Sequence, residues 1–284
     1  MASCTLCRNF CSSMSSHVSH KLVRINHRLS FCDYLTGAST CFIFLFGGHG
    51  SDIIKGKKAP ENSLLYMASV QSSTGHVCGG FLITADFVLT AAHCAKENPT
   101  HVVLATHNLE KSHQEKITIK KKFKPNFYQT AWHGDDIMLL KLSRKVQLNK
   151  RVKIIPLPSA KVQLRKNEVC QVSGWGKTIT AGETVNELRV VDVPVINKKV
   201  CKELWPGLPA NVICAGGYGT DKGFCQGDSG GPLICKGIAV GVVSFNKKRN
   251  CDYPDVPNVF TDISKYRLWI NSILKNPNSD KQNP

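Results

Sequence analysis

An all-β, antiparallel fold of the sandwich or barrel kind, finished by one C-terminal helix, is what this sequence predicts. Three observations predict it. Short β-prone runs broken by Gly, Pro, Asn and Lys succeed one another from Leu65 to Thr261. Near the end the period changes, and Ile263, Tyr266, Trp269, Ile270, Ile273 and Leu274 fall at helical spacing. Eight cysteines follow Ile53, an even number that fits a disulfide framework in an oxidising compartment.

Taken in order, the first 34 residues are basic, rich in Ser and Cys, and lack a regular apolar period. Leu35–Phe46 is an apolar run, shorter than the roughly 20 residues a membrane-spanning helix needs. It reads as the apolar core of a secretory signal, with Gly48 and Gly50 as the small residues before a cut. The strands expected in the first half of the remainder are Leu65–Gln71, Phe81–Leu89, His101–Ala105, Ile117–Lys121 and Ile137–Leu142. Pro156 and Pro158 mark a crossover. Glu168–Ser173, Glu187–Val195, Asn211–Ala215, Pro232–Cys235, Ile238–Phe245 and Asn258–Thr261 follow. The last stripe is a packing face. Lys275 sits where a helix dipole favours a cation, and Pro277 stops the helix.

Length and composition bound the function. The 284 residues suffice for one large β domain or two small ones. A chain 42% hydrophobic and 20% charged is an ordinary globular protein, which excludes a disordered one. The formal net charge of +17 favours polyanionic partners, whether sulfated glycans, nucleic acid or acidic proteins. Lys120-Lys121-Lys122 with Lys124, and Lys247-Lys248-Arg249, are the densest basic groups. No cysteine pair after Ile53 has C-x2-C spacing, so neither a zinc site nor any other metal or cofactor is expected. Eight cysteines alone permit 105 pairings.

The chemistry centres on Gly227-Asp228-Ser229-Gly230-Gly231-Pro232. A hydroxyl stands among residues with almost no bulk, beside bare amides able to hold a developing oxyanion. Leu89-Thr90-Ala91-Ala92-His93-Cys94 adds an imidazole, and Asp135-Asp136-Ile137-Met138-Leu139-Leu140 a carboxylate. The chain order is His, Asp, Ser, as in triads of the chymotrypsin type. His76, His101, His107, His113 and His133 read as surface or core groups.

On these three segments, the sequence from Ile53 to about Lys275 resembles the chymotrypsin-like serine proteases, and within them the granzymes and related granule proteases. The resemblance implies two packed six-stranded antiparallel β-barrels, 53–157 and 158–262, a C-terminal helix 263–275, and an active site in the cleft between barrels. It implies Ser229 as nucleophile, His93 as its base and Asp136 as the acid that fixes the imidazole. Asp135 is set aside because the family's acid directly precedes Ile-x-Leu-Leu. The amides of Gly227 and Ser229 would form the oxyanion hole. Ser244 would bond the aspartate and, with Phe245 and Asn246, line the substrate strand. Gly223, Phe224, Gln226 and Asn258 would shape the specificity pocket. The implied disulfides are Cys78–Cys94, Cys170–Cys235, Cys201–Cys214 and Cys225–Cys251, which leave no cysteine after Ile53 for a covalent dimer and suggest a monomer.

The resemblance also divides the chain. Residues 1–52 become an extension, a signal-like segment and a short activation peptide, and 53–284 the protease domain. A cut after Gly50 leaves Ser51-Asp52, similar to the acidic activation dipeptide of granzymes. The freed Ile53 ammonium would then pair with Asp228, a buried pair costly to break.

Specificity departs from trypsin. Gly223 stands where trypsin-like enzymes carry Asp, so a substrate Lys or Arg would be buried unpaired. Phe224 is bulkier than the usual residue, and Asn246 and Asn258 replace glycines of open pockets. A small to medium apolar residue before the scissile bond is expected, with a polar or acidic one as the second choice. The expected protein is a serine endopeptidase, secreted or stored in granules, acting on proteins or peptides. Its basic surface suits sulfated glycan, and no specific nucleic acid is expected. The alternative is a catalytically weak protease-fold protein that works as a cationic binding or antimicrobial module.

Overall fold

The structure is a computed structural model that describes residues 53–111, 114–159, 163–253 and 255–277, with the backbone of three short segments before them. Those segments, β1 (Val23–Ile25), β2 (Arg28–Asp33) and β3 (Thr40–Phe42), pair antiparallel within a unit spanning Met1–His49. Apart from Thr40–Phe42, the signal-like run Leu35–Phe46 and the cut after Gly50 lie outside the described residues.

From Gly50 onward the chain is a second unit, built on two sheets. After β4 (Lys57–Lys58), a closed six-stranded barrel is formed by β5 (Met67–Ser72), β6 (Gly75–Thr84), β7 (Phe87–Thr90), β8 (His101–Leu104), β9 (Glu115–Phe123) and β10 (Met138–Leu142). The barrel has six strands because Phe81–Leu89, a single run by composition, belongs to a hairpin. The Thr84 hydroxyl donates to the Asp86 carboxylate at 3.0 Å, and the Asp86 amide returns a bond to Thr84 Oγ1 at 3.4 Å. Such local side-chain bonds turn the backbone between two apolar stretches.

The second sheet contains β11 (Val169–Gly174), β12 (Arg189–Pro194), β13 (Val212–Ala215), β14 (Pro232–Cys235), β15 (Ile238–Phe245) and β16 (Asn258–Asp262). Its order is β13-β16-β15-β14-β11-β12, with β4 added beyond β12. A bridge between Val195 and Ala215 brings the β12 end of the six back to β13, so the sheet rolls towards closure. Through β4, residues just after Ile53 thus pair with the second sheet, Lys57 opposite Val190 and Lys58 opposite Arg189. The crossover runs along the first barrel, where the Ile155 amide donates to the Leu82 carbonyl. It then meets the second sheet, where the Ala239 amide donates to the Pro156 carbonyl.

Two helices complete the unit. α1 (Lys198–Leu204) was not expected from the apolar period, being seven residues with few apolar positions. Its start is fixed by Asn197, whose side chain accepts from the Lys199 amide at 2.8 Å. The Cys201–Cys214 disulfide ties it to β13. α2 (Arg267–Lys275) follows a 3-10 turn at Ile263–Tyr266. Ile263, Tyr266, Ile270 and Ile273 are buried in the core of the first barrel, while Leu268 points outward. Each buried isoleucine contributes about 2–3 kcal/mol. The helix therefore clamps the far end of the chain back onto its first half. All four implied cysteine pairs after Ile53 are bonded: Cys78–Cys94, Cys170–Cys235, Cys201–Cys214 and Cys225–Cys251.

Candidate active site

β7 ends at Thr90, and a 3-10 turn, Ala92–Glu97, then presents His93 half-buried. The Cys78–Cys94 disulfide anchors that turn to β6. Asp136 stands just before β10 and is fully buried. It meets His93 twice: Oδ1 accepts from the His93 amide at 2.8 Å, and Oδ2 lies 2.7 Å from Nδ1. A carboxylate accepts only, so Nδ1 carries the proton and Nε2 keeps its lone pair. The Ser244 hydroxyl, on β15, donates to Oδ2 at 2.5 Å, and Thr261, on β16, donates to the Asp136 carbonyl at 2.9 Å. Burial works to raise the Asp136 pKa. The facing His93 ring and the bonds from His93 and Ser244 outweigh burial and hold it below the usual carboxylate range. Asp135 is turned elsewhere, accepting from Tyr266 at 2.6 Å. Its φ of +56° takes its side chain away from that of its neighbour.

Ser229 lies in the loop between Cys225 and β14. The Gly79 amide donates to its carbonyl at 2.8 Å, which fastens this loop of the second sheet to β6 of the first barrel. A side chain at Gly79 would press on Gly231 at 3.1 Å, so the close approach needs glycine. The amides of Asp228, Gly230 and Gly231 donate to the carbonyls of Cys225, Val243 and Asp228. Those of Gly227 and Ser229 have no such bond to a described residue. His93, Gly227 and Ser229 line one cleft of 740 Å³, shared with Gln226, Ser244 and Phe245.

Beneath the loop, Asp228 is fully buried. Burial pushes its carboxyl up to about 7, against the pull of two backbone donors, Cys225 at 2.9 Å and Gly176 at 2.8 Å. A Cβ on Gly174 or Gly176 would strike this carboxylate, at 2.2 and 2.5 Å. The Ile53 side chain is buried in the core of the second sheet beside Val172 and Val193, and its φ is +39°.

The residues expected to shape specificity do not all line the cleft. Phe224 and Asn246 line the cleft, but Gly223 and Asn258 are buried below its surface. The Phe224 ring packs edge-on against Phe260, with centroids 5.2 Å apart. Its amide donates to Asn258 Oδ1 at 3.1 Å, and its carbonyl accepts from the Tyr253 hydroxyl at 2.6 Å. Asn246 Nδ2 donates to the same hydroxyl at 3.2 Å. Tyr253 thus braces the floor, a part that no motif pointed to.

His76 is a second residue that sequence reading passed over. Its Nδ1 is 2.8 Å from Ser69 Oγ, and its Nε2 is 3.0 Å from the Gly227 carbonyl. A carbonyl can only accept, so Nε2 donates and Nδ1 accepts from Ser69. Burial lowers the His76 pKa to about 4, although the Gly227 bond acts the other way. Its Nε2 bond and the edge of Trp175, with centroids 5.7 Å apart, fix it under Gly227. No local spacing marks such a residue, because its partners lie 7 and 151 positions away.

Comparison with known proteins agrees with this geometry. The trypsin family model matches residues 53–270. Granzyme-like protein 1 of Rattus norvegicus is 36% identical over 233 residues, 79% of this chain and 92% of that protein. Cathepsin G of Homo sapiens is 36% identical over 240 residues, 82% of this chain and 92% of that one. Among solved structures, a mutant of human heparin binding protein aligns with a TM-score of 0.72 and 34% identity, over 82% of this chain and all of the other. Mouse neuropsin, a serine protease, aligns with a TM-score of 0.72 and 31% identity, covering 78% and 100%.

Proposed function

The chain belongs to the trypsin family of serine endopeptidases, and from that premise we propose that it cleaves proteins through an acyl-enzyme after Ile53 has been freed. The observation that carries this reading is the double engagement of His93 by Asp136, in the cleft that also holds Ser229. His93 Nε2 takes the Ser229 proton as Oγ attacks the scissile carbonyl. Asp136 stabilises the imidazolium. The amides of Gly227 and Ser229 hold the oxyanion. The imidazolium then returns its proton to the leaving amine, and water repeats the sequence to release the acid.

Activation follows from Ile53 and Asp228. In the uncut chain Ile53 has φ at +39°, a conformation costing a β-branched residue about 1–3 kcal/mol. Cutting before it abolishes that dihedral and creates an ammonium whose partner is the buried Asp228 carboxylate. The braced floor of Phe224 and Tyr253 supports a shallow primary pocket for a small to medium apolar residue. Four disulfides suit secretion or granule storage.

A second reading, a cationic binding module, is favoured by one feature of β9. Lys116, Lys120 and Lys122 share its exposed face, in steps of about 7 Å per two residues. That row suits a linear sulfated glycan, and heparin binding is what the name of one structural relative states. The test is fluorophosphonate labelling of the full-length chain cut before Ile53. We expect the wild type to label and Ser229→Ala not to. A folded, cut wild type that stays unlabelled would favour the binding module.

A further inference from the structure

The cleft carries more than its reacting groups. On one wall Trp132, Trp205 and Phe245 pack in a triangle, with ring centroids 5.4, 5.5 and 5.6 Å apart. Trp132 remains 42% exposed, so the triangle offers ring surface to whatever enters. Around it the lining is cationic: Lys96, Lys247, Lys248 and Arg249 all border the cleft, against one acid, Glu97. The four cations are exposed, and among the described residues none of them is in an ion pair.

Three of these cations are held by built structure. Lys248 and Arg249 have φ of +52° and +59°, a turn closed by the Asn250 amide donating to the Lys247 carbonyl at 2.8 Å. Thr180 secures its far side, donating to Asn250 Oδ1 at 3.2 Å and accepting from the Cys251 amide at 3.0 Å. Cys251 is bonded to Cys225, which begins the Gln226-Gly227-Asp228-Ser229 loop. One disulfide therefore fixes both the cationic turn and the segment that carries the nucleophile.

Resting on the hydrolase reading above, we infer that this cleft selects an extended polypeptide with an apolar side chain for the aromatic triangle and acidic side chains beside it. Successive side chains of an extended chain point to opposite sides. A residue seated on the rings therefore directs its neighbours to the rim, where Lys247, Lys248 and Arg249 wait without carboxylates. Carboxylates there are attracted, and lysines or arginines repelled. The effect weakens with salt, since these charges are exposed. A sulfated glycan matches the cations equally well but would leave the ring surface wet, so polypeptide is the better fit.

The experiment compares two fluorogenic peptides with the same scissile residue and the same upstream apolar residue. One carries Glu, the other Gln, at the positions flanking the apolar residue. The enzyme is the full-length chain cut before Ile53, with fluorophosphonate labelling run in parallel. At low salt kcat/KM should favour the Glu peptide about tenfold, and the ratio should approach one in about 0.5 M salt. In a Lys247→Glu, Lys248→Glu, Arg249→Glu variant the ratio should reverse, and in the corresponding triple Gln variant it should fall towards one. Equal turnover of the two peptides by a labelled wild type overturns this inference alone. So does a labelled variant that keeps the preference. No labelling and no turnover of either peptide overturns the hydrolase reading, and this inference with it.

Discussion

Asn258 stands where a side chain on Gly223 would have to go. Its Oδ1 lies 2.3 Å from the point that a Cβ on Gly223 would occupy, and Tyr253 Cε2 lies 2.6 Å from it. The space that a carboxylate on residue 223 would need is therefore already taken. Phe224 covers the same region from the cleft side.

It follows that Gly223→Asp should not create cleavage after Lys or Arg. It should overpack the floor and lower stability by about 1–3 kcal/mol. Phe224→Ser should do the opposite for specificity, opening room and admitting larger side chains before the scissile bond. Thermal unfolding and a peptide library check both. Efficient cleavage after Lys or Arg by a stable Gly223→Asp variant would falsify the reading of a filled pocket.

Ser244→Ala removes the 2.5 Å bond to Asp136. A bond to a charged group contributes about 1.5–3 kcal/mol, so kcat should fall about tenfold or more with KM little changed. Without that donor the Asp136 pKa moves up from its depressed position. Since a lowered carboxyl pKa gives stability that is lost as pH falls, the variant should lose stability at a higher pH than wild type. A rise in KM alone would restrict Ser244 to contacting substrate.

His76 should set an acid limit of its own. It titrates near 4 when folded against an ordinary 6.5. Its stabilising contribution is thus complete above 6.5 and is lost as pH falls towards 4. His76→Phe should remove that loss and free the Gly227 carbonyl, reducing kcat more than it raises KM. Unfolding curves from pH 7 to 4 on the two proteins measure the first effect. Identical slopes would exclude His76 as the titrating group.

Asp228 acts in the opposite sense in the uncut chain. With a folded pKa of about 7 against 3.8, it holds a proton the unfolded chain has released. Stability from this group is therefore full below about pH 4 and declines as pH rises to about 7. Cutting before Ile53 supplies a cation and should abolish the decline. In a Ser229→Ala background, the Tm of the cut chain minus that of the uncut chain should grow from pH 4.5 to 7.5. Parallel curves would mean that the new terminus does not reach Asp228.

Much of the fold was readable in order along the chain. Pro232–Cys235 and Ile238–Phe245 coincide with β14 and β15, because buried apolar runs between Gly and Lys leave few other outcomes. The hairpin at Thr84–Asp86 was not readable, since its turn is made by side-chain bonds inside an apolar stretch. Nor was α1, which is short and held by a disulfide and a cap in place of an amphipathic face.

The residues of the site divide in the same way. His93, Asp136 and Ser229 are embedded in motifs whose neighbours along the chain are informative. Tyr253, His76 and the Trp132–Trp205–Phe245 triangle are not, because each owes its role to groups far away in sequence. By itself the sequence determined the β class and singled out the candidate reacting groups in their order, since local period and local chemistry are written in adjacent letters. Only the tertiary structure decided that Asn258 and Tyr253 fill the space beside Gly223, that His76 bonds the Gly227 carbonyl and that Lys96, Lys247, Lys248 and Arg249 share a cleft with three packed aromatic rings. Those are properties of volume and distance, and they exist once the two sheets have brought remote side chains within a few ångströms.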